Sequence, residues 1–172
     1  VGLAALAGLI ERARAECPNT LLFDNGDTLQ GAPLGDAAVS DLMPAGAIHP
    51  MIAAMNEIGY DAATVGNHDF DFGLDALLRA LAAARYPVVL ANAMTPADRR
   101  PLLPPHVILE RNLTDREGRA HLLRIGVTGV APPQITQWGH AHLADRVEVA
   151  PMIPAAARAA RALRAAGADI VV

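Results

Sequence analysis

Two short polar runs hold the residues best suited to chemistry: Phe23-Asp24-Asn25-Gly26-Asp27 and Val65-Gly66-Asn67-His68-Asp69-Phe70-Asp71. Each follows an apolar stretch directly. In layered α/β folds, ligands gather at the carboxyl ends of strands, so neighbouring strands would point both runs into one crevice. Asp27 is a hard oxygen donor able to bridge two cations, Asn67 offers a neutral carbonyl oxygen, and His68 suits either a ligand or a proton donor. Two metal ions about 3.5–4 Å apart can clamp the attacking and leaving oxygens of a phosphoryl transfer and lower the pKa of a bound water. Asp71, three residues after His68, could receive the imidazole N–H and fix its tautomer and charge. The competing interpretation is structural. Asx-Gly pairs at strand ends are ordinary turn chemistry, and Gly-Asn-His-Asp could be a turn followed by a helix cap. Two such runs at this spacing favour a site.

The elements that must position these runs follow from periodicity. Leu3, Leu6, Ile10 and Ala13 recur at helical spacing and predict an amphipathic helix over 3–16, stopped by Pro18 and Asn19. Leu21-Leu22-Phe23 reads as a buried strand and 25–35 as a Gly-rich loop. A second helix is expected at 50–58 and a third at 74–84, with strands at 62–65 and 88–90. Pro96, Pro101, Pro104 and Pro105 mark an irregular segment. Strands at 107–109 and 122–130, paired across a polar turn at 114–119, then lead to a helix at 153–166 and a strand from Ile170. Strands alternating with helices predict a layered α/β domain, with a twisted sheet and the loops after Phe23 and Val65 adjacent at one edge. No repeat or linker divides residues 1–172. Both ends read as cut: a strand is expected before the first helix, and Ile170-Val171-Val172 looks like a strand just starting.

Composition narrows the class. With 52% hydrophobic residues the chain is globular rather than disordered. The net charge of −4, without a basic patch, gives no attraction to a nucleic-acid duplex. All 14 basic residues are Arg, a composition bias rather than chemistry. The lone Cys17 excludes an internal disulfide and a cysteine zinc cluster, and leaves the compartment open. No apolar run approaches the ~20 residues of a membrane span. No signal peptide is visible, but the chain opens on Val1, so this carries little weight.

Gly26-Asp27 followed by Gly66-Asn67-His68-Asp69 resembles the second and third motifs of the calcineurin-like metallophosphoesterases. Asp24-Asn25-Gly26-Asp27, with Gln30-Gly31-Ala32-Pro33-Leu34-Gly35-Asp36, resembles the bacterial 2′,3′-cyclic-nucleotide 2′-phosphodiesterase/3′-nucleotidase group within the 5′-nucleotidase family. His49-Pro50 with Met55-Asn56, and Pro132-Pro133-Gln134-Ile135 with Trp138, are similar to the same group. The resemblance implies an α/β/β/α sandwich, of which residues 1–172 would be part. It implies that Asp27 bridges two divalent metal ions, whose identity among Mn, Zn, Mg, Fe and Co stays open, and that Asn67 binds one of them. His68 would contact the phosphate, with Asp71 as its dyad partner, and Asp24 would stand behind the ligands. Asp69 occupies a position where the family more often has Glu.

The same resemblance implies hydrolysis of 2′,3′-cyclic nucleotides and 3′-nucleotides by a metal-activated water, in a periplasmic or cell-surface protein with a C-terminal substrate-recognition domain. A 5′-nucleotidase or UDP-sugar hydrolase is the alternative enzyme, and a metal-free binding module the alternative class. The family's first motif, Asp-x-His, is absent from the sequence, and its later His motifs would follow Ile170. This stretch alone is therefore expected to be inactive and to bind metal weakly. Gly139-His140-Ala141-His142 spells the last motif but comes too early. It is expected to be a polar surface turn lying away from Asp27 and Asn67.

Overall fold

The computed structural model describes residues 2–172. Helix α1 (Leu3–Glu16) is followed by strand β1 (Phe23–Asp24) and a short helix α2 (Pro33–Ala37), which runs into a π-helical turn at Ala38–Leu42. Helix α3 (Pro50–Ile58) is well delimited. His49 Nδ1 accepts the Met51 N–H at 3.3 Å, Pro50 opens the first turn, and Gly59 ends the helix at φ +76°. The Arg14 guanidinium donates to the last carbonyls, Ile58 O at 2.5 Å and Gly59 O at 2.7 Å, and ties α1 to that end. Strand β2 (Ala62–Ala63), a 3₁₀ turn (His68–Phe70) and helix α4 (Leu74–Leu81) complete the first half. The second half holds β3 (Ala93–Met94), β4 (His106–Thr114), β5 (Ala120–Thr128), α5 (Ile135–Trp138), α6 (His140–Leu143), β6 (Glu148–Val149), α7 (Met152–Ala165) and β7 (Ile170–Val171).

Strand β1 lies parallel to β2, with Phe23 opposite Ala62 and Asp24 opposite Ala63, and Val88 bridges to Ala63 on the other side. Strands β4 and β5 form an antiparallel hairpin, and β7 adds to β5 in parallel. Side-chain parity turns these strands into layers, because successive residues of a strand face opposite ways. Ala62 and Val89 join Leu109, Ile125 and Val127 in one apolar cluster between the two sheets. Ala63, Val65, Val88 and Leu90 face the other way, into a cluster with Ile52 and Met55 of α3 and Leu74 and Leu77 of α4. On the far side of the hairpin, a Cβ on Gly126 would stand 2.9 Å from a methyl of Leu163, so α7 packs closely there. The order is helices, β1–β2, β4–β5–β7, helix: an α/β/β/α sandwich, as expected.

Asn92, fully buried, holds three segments together. Its Nδ2 donates to Ala131 O at 2.7 Å and Ala150 O at 2.8 Å, and its Oδ1 accepts the Ala131 N–H at 2.9 Å.

Several boundaries differ from the sequence reading. The loop expected over 25–35 contains the start of α2, where Pro33 takes the first helical position despite the flanking glycines. Val88-Val89-Leu90 pairs with β2 in a single bridge, Val88 opposite Ala63, closed by the Val89 N–H on Ala63 O and the Ala63 N–H on Pro87 O. The pairing stops there because the Ala91 N–H turns to Gly129 O. The third helix stops at Leu81 rather than 84, and the first hairpin strand is longer than 107–109. The second lies two residues earlier than 122–130, at equal length, so that the two match in register. Gly139 is in a turn and His140 and His142 are exposed, as expected, but His140–Leu143 forms one helical turn that seats Leu143 in the core. Among the described residues no helix is long and apolar enough to cross a membrane.

Candidate active site

The parallel pairing of β1 with β2 sets the loops after Asp24 and Val65 side by side. They touch through backbone. A Cβ on Gly26 would stand 2.0 Å from Gly66 N, and one on Gly66 would stand 2.2 Å from Asp27 Oδ1. Both positions therefore require glycine, and Gly26 also sits at φ +88°. Asp27 follows at φ +60°, a left-handed conformation that Asp tolerates better than most residues.

The predicted residues converge. Asp27 is exposed, and its Oδ1 accepts the backbone N–H of His68 at 2.9 Å. Asn67 is half-buried and begins the 3₁₀ turn that carries His68. His68 Nδ1 lies 2.8 Å from Asp71 Oδ2, both side chains being exposed. The hydrogen bond and charge of Asp71 hold the His68 imidazolium above its ordinary pKa, aided by Asp27 and Asp69. With Nδ1 engaged, Nε2 is the nitrogen left to meet a substrate.

Asp24 acts within its own loop. Its Oδ1 accepts from the Gly26 N–H at 2.9 Å and from the Thr28 hydroxyl at 2.8 Å. Burial pushes its carboxyl above the usual range, against the effect of those two bonds. Asp69 is 2% exposed and accepts four backbone N–H groups, a role not visible in the sequence. Thr28 was likewise unassigned, and only its contact with Asp24 reveals its part. A cavity of about 420 Å³ opens beside Asp27, walled by Leu6, Leu34, Met51, Met55 and Tyr60. His68 and Asp71 do not line it.

Asp27 and Asn67 supply two hard oxygen donors, the type that divalent cations such as Mg²⁺ and Mn²⁺ prefer. They fit as part of a ligand set, and two donors do not complete a cage. Among the described residues no group of three or more His, Cys, Asp and Glu is gathered to hold a metal. His142 packs against Gly73, its Cβ 3.6 Å from where a glycine Cβ would stand, in a surface depression with Asp75, Arg79 and Arg146.

The chain is similar to known enzymes along almost its whole length. It is 42% identical over 171 residues to the 2′,3′-cyclic-nucleotide 2′-phosphodiesterase/3′-nucleotidase of Yersinia enterocolitica, covering 99% of this chain and 26% of that protein. The solved structure of the calcineurin-like phosphoesterase YfkN from Bacillus subtilis superposes with a TM-score of 0.92 at 40% identity, over 99% of this chain and 52% of that one. The 5′-nucleotidase precursor of Thermus thermophilus shares the fold, with a TM-score of 0.75 at 24% identity over 99% of this chain and 30% of that one. No protein-family model matches. The chain spans about a quarter of the length of the Yersinia relative.

Proposed function

This chain belongs to the calcineurin-like phosphoesterases, and from that premise we propose that it forms part of the catalytic domain of an enzyme hydrolysing 2′,3′-cyclic nucleotides and 3′-nucleotides. The observation that carries the reading is the bond from the His68 N–H to Asp27 Oδ1. It places a hard oxygen donor, Asn67 and the His68–Asp71 pair on touching loops at the carboxyl ends of parallel strands. The names of the relatives support the substrate class.

In this reading Asp27 and Asn67 would be among the residues that hold two divalent cations. On the same reading the remaining donors and a base-recognition domain are assigned to the length of the relatives that this chain does not span, which is about three quarters of the Yersinia protein. Bound there, such cations would supply positive charge for the phosphoryl oxygens and lower the pKa of a bound water. His68 donates from Nε2 to the phosphate or the leaving oxygen as negative charge develops there. Asp71 holds the ring by Nδ1 and favours its protonated form. We propose a periplasmic or cell-surface location for the enzyme, which is what the resemblance of its motifs to the cyclic-nucleotide phosphodiesterase group implies.

The test is steady-state kinetics of the full-length protein on a 3′-nucleotide and a 2′,3′-cyclic nucleotide, with metal content measured in parallel. His68→Ala should lower turnover about 10²–10⁴-fold with its metals retained, whereas Asp27→Ala should lose them. Near-normal turnover in His68→Ala, or metal loss as complete as in Asp27→Ala, would refute the assignment. A preference for 5′-nucleotides or UDP-sugars in the wild type would move the substrate class to that of the 5′-nucleotidases.

A further inference from the structure

Asp69 stands between the exposed residues His68 and Asp71, yet is itself buried, at 2% exposure. A carboxylate removed from water must have its oxygens saturated. Here Oδ1 accepts from the N–H groups of Thr28 at 2.8 Å and Leu29 at 2.9 Å, and Oδ2 from those of Asp27 and Gly66, both at 2.8 Å. Three of these donors are consecutive. Successive amides around a left-handed residue form a concave anion site of the kind that elsewhere cradles phosphate. In this chain, with Gly26 and Asp27 both at positive φ, the anion is a side chain from the opposite loop.

The geometry makes Asp69 a ruler. Its backbone belongs to the 3₁₀ turn that begins at Asn67 and carries His68, while its carboxylate is fixed to the loop that carries Asp27. The length of one side chain then sets how far Asp27 lies from Asn67 and His68. The bonds are charge-assisted and therefore short and directional. They also hold Asp27 in its left-handed conformation, which no other side chain contacts at the amide. We propose that Asp69 is a positioning residue whose carboxylate, seated on the amides of Asp27, Thr28, Leu29 and Gly66, sets the metal-binding geometry of Asp27 and Asn67. The inference rests on the reading of Asp27 and Asn67 as metal ligands given above.

Asp69→Asn removes one acceptor oxygen and turns an N–H toward an N–H. Asp69→Glu keeps both oxygens on a stem one methylene longer. The experiment is calorimetric titration of the metal-stripped, full-length protein with Mn²⁺ alone, at a temperature where melting curves show each variant folded. Kinetics on a 3′-nucleotide accompany it. Asp69→Asn is expected to weaken Mn²⁺ binding about 10–100-fold, the range for groups that orient metal ligands. Asp69→Glu should recover part of that loss, and KM for the nucleotide should move less than either. A purely structural role would lower the melting temperature and leave the Mn²⁺ affinity of the folded variants unchanged. If Asp69→Asn does not fold, Asp69→Glu decides alone. Folded variants that bind Mn²⁺ within about twofold of the wild type would overturn the proposal. Asp27→Ala is measured alongside: if it too binds Mn²⁺ like the wild type, the ligand reading itself is what fails.

Discussion

The β4–β5 hairpin and the paired loops after β1 and β2 are held together in opposite ways. The hairpin aligns nine residues of each strand in an unbroken antiparallel register, from His106 opposite Thr128 to Thr114 opposite Ala120. Its turn is fastened by exposed groups, with Asp115 accepting from Arg119 and paired with His121. Strands β1 and β2 share only two residue pairs, and beyond them the chain depends on the carboxylates of Asp69 and Asp24 and on two glycines in contact. A ladder repeats, so each bond resembles the next and none sets a special distance. The loops contain no repeat, and each contact fixes one side chain. Regular pairing supplies the platform and irregular pairing supplies the site.

The contrast breaks most visibly with one substitution made in both regions. Gly66→Ala forces a methyl against Asp27 Oδ1, so the two loops must separate. A displacement near 1 Å at reacting groups costs about 10²-fold in rate. That loss is expected in the full-length enzyme's turnover. Gly118 in the hairpin turn, unlike Gly66, sits at positive φ, +81°, but a Cβ added there meets nothing within 4 Å. Gly118→Ala should destabilise by about 1 kcal/mol through backbone strain and leave turnover unchanged. Equal kinetic effects of the two would erase the distinction.

A smaller effect sharpens the same comparison. Ile125, 2% exposed in the cluster between the sheets, should lose about 0.5–1.5 kcal/mol on change to Val. Denaturant unfolding reads that loss, and kcat on a 3′-nucleotide should stay within about twofold. A marked fall in kcat would mean that the hairpin transmits its packing to the loops.

The smallest effect is electrostatic. The hydrogen bond from His121, with those from Arg119, holds the Asp115 carboxyl down to about 2. A depressed carboxyl contributes stability above its unfolded pKa of about 3.9, which is lost as pH falls through the folded value. The window is therefore roughly pH 4 to 2, and the contribution is slight because the cluster is exposed. Carboxyl titration by NMR should find Asp115 ionised at pH 3, and His121→Ala should raise its pKa. An unchanged midpoint would leave Arg119 and the Glu117 N–H as the causes.

What the sequence made legible depended on the range of the physics. Helix α3 was legible to the residue because its signals are local: His49 and Pro50 at one end, Gly59 at the other. The convergence of Asp27 with His68 was legible because two polar runs each followed an apolar strand. Strands β3 and β6 were not, since two residues at 93–94 and two at 148–149 have no period to detect. The place of Asp69 was hidden for a related reason. Its type and position were plain, but its four partners lie in two loops, three of them about 40 residues away. His142 was expected on a turn, and the burial of its neighbour Leu143 instead winds that segment into a helix against Gly73.

The amide of Asn92 gives the chain an order in time. Its partners are 39 and 58 residues downstream, so during folding it has nothing to bind until the segments at Ala131 and Ala150 have both arrived. Closing loops of that length is entropically unfavourable before any contact rewards it. Until then the amide is better left in water, because burying it alone is penalised by its unmet hydrogen bonds. Docking of the 131 and 150 segments onto the first half is therefore expected in the late, cooperative stage of folding, after α3, α4 and the hairpin, whose contacts are closer in the chain. Asn92→Ala should then speed unfolding more than it slows refolding in a chevron measurement.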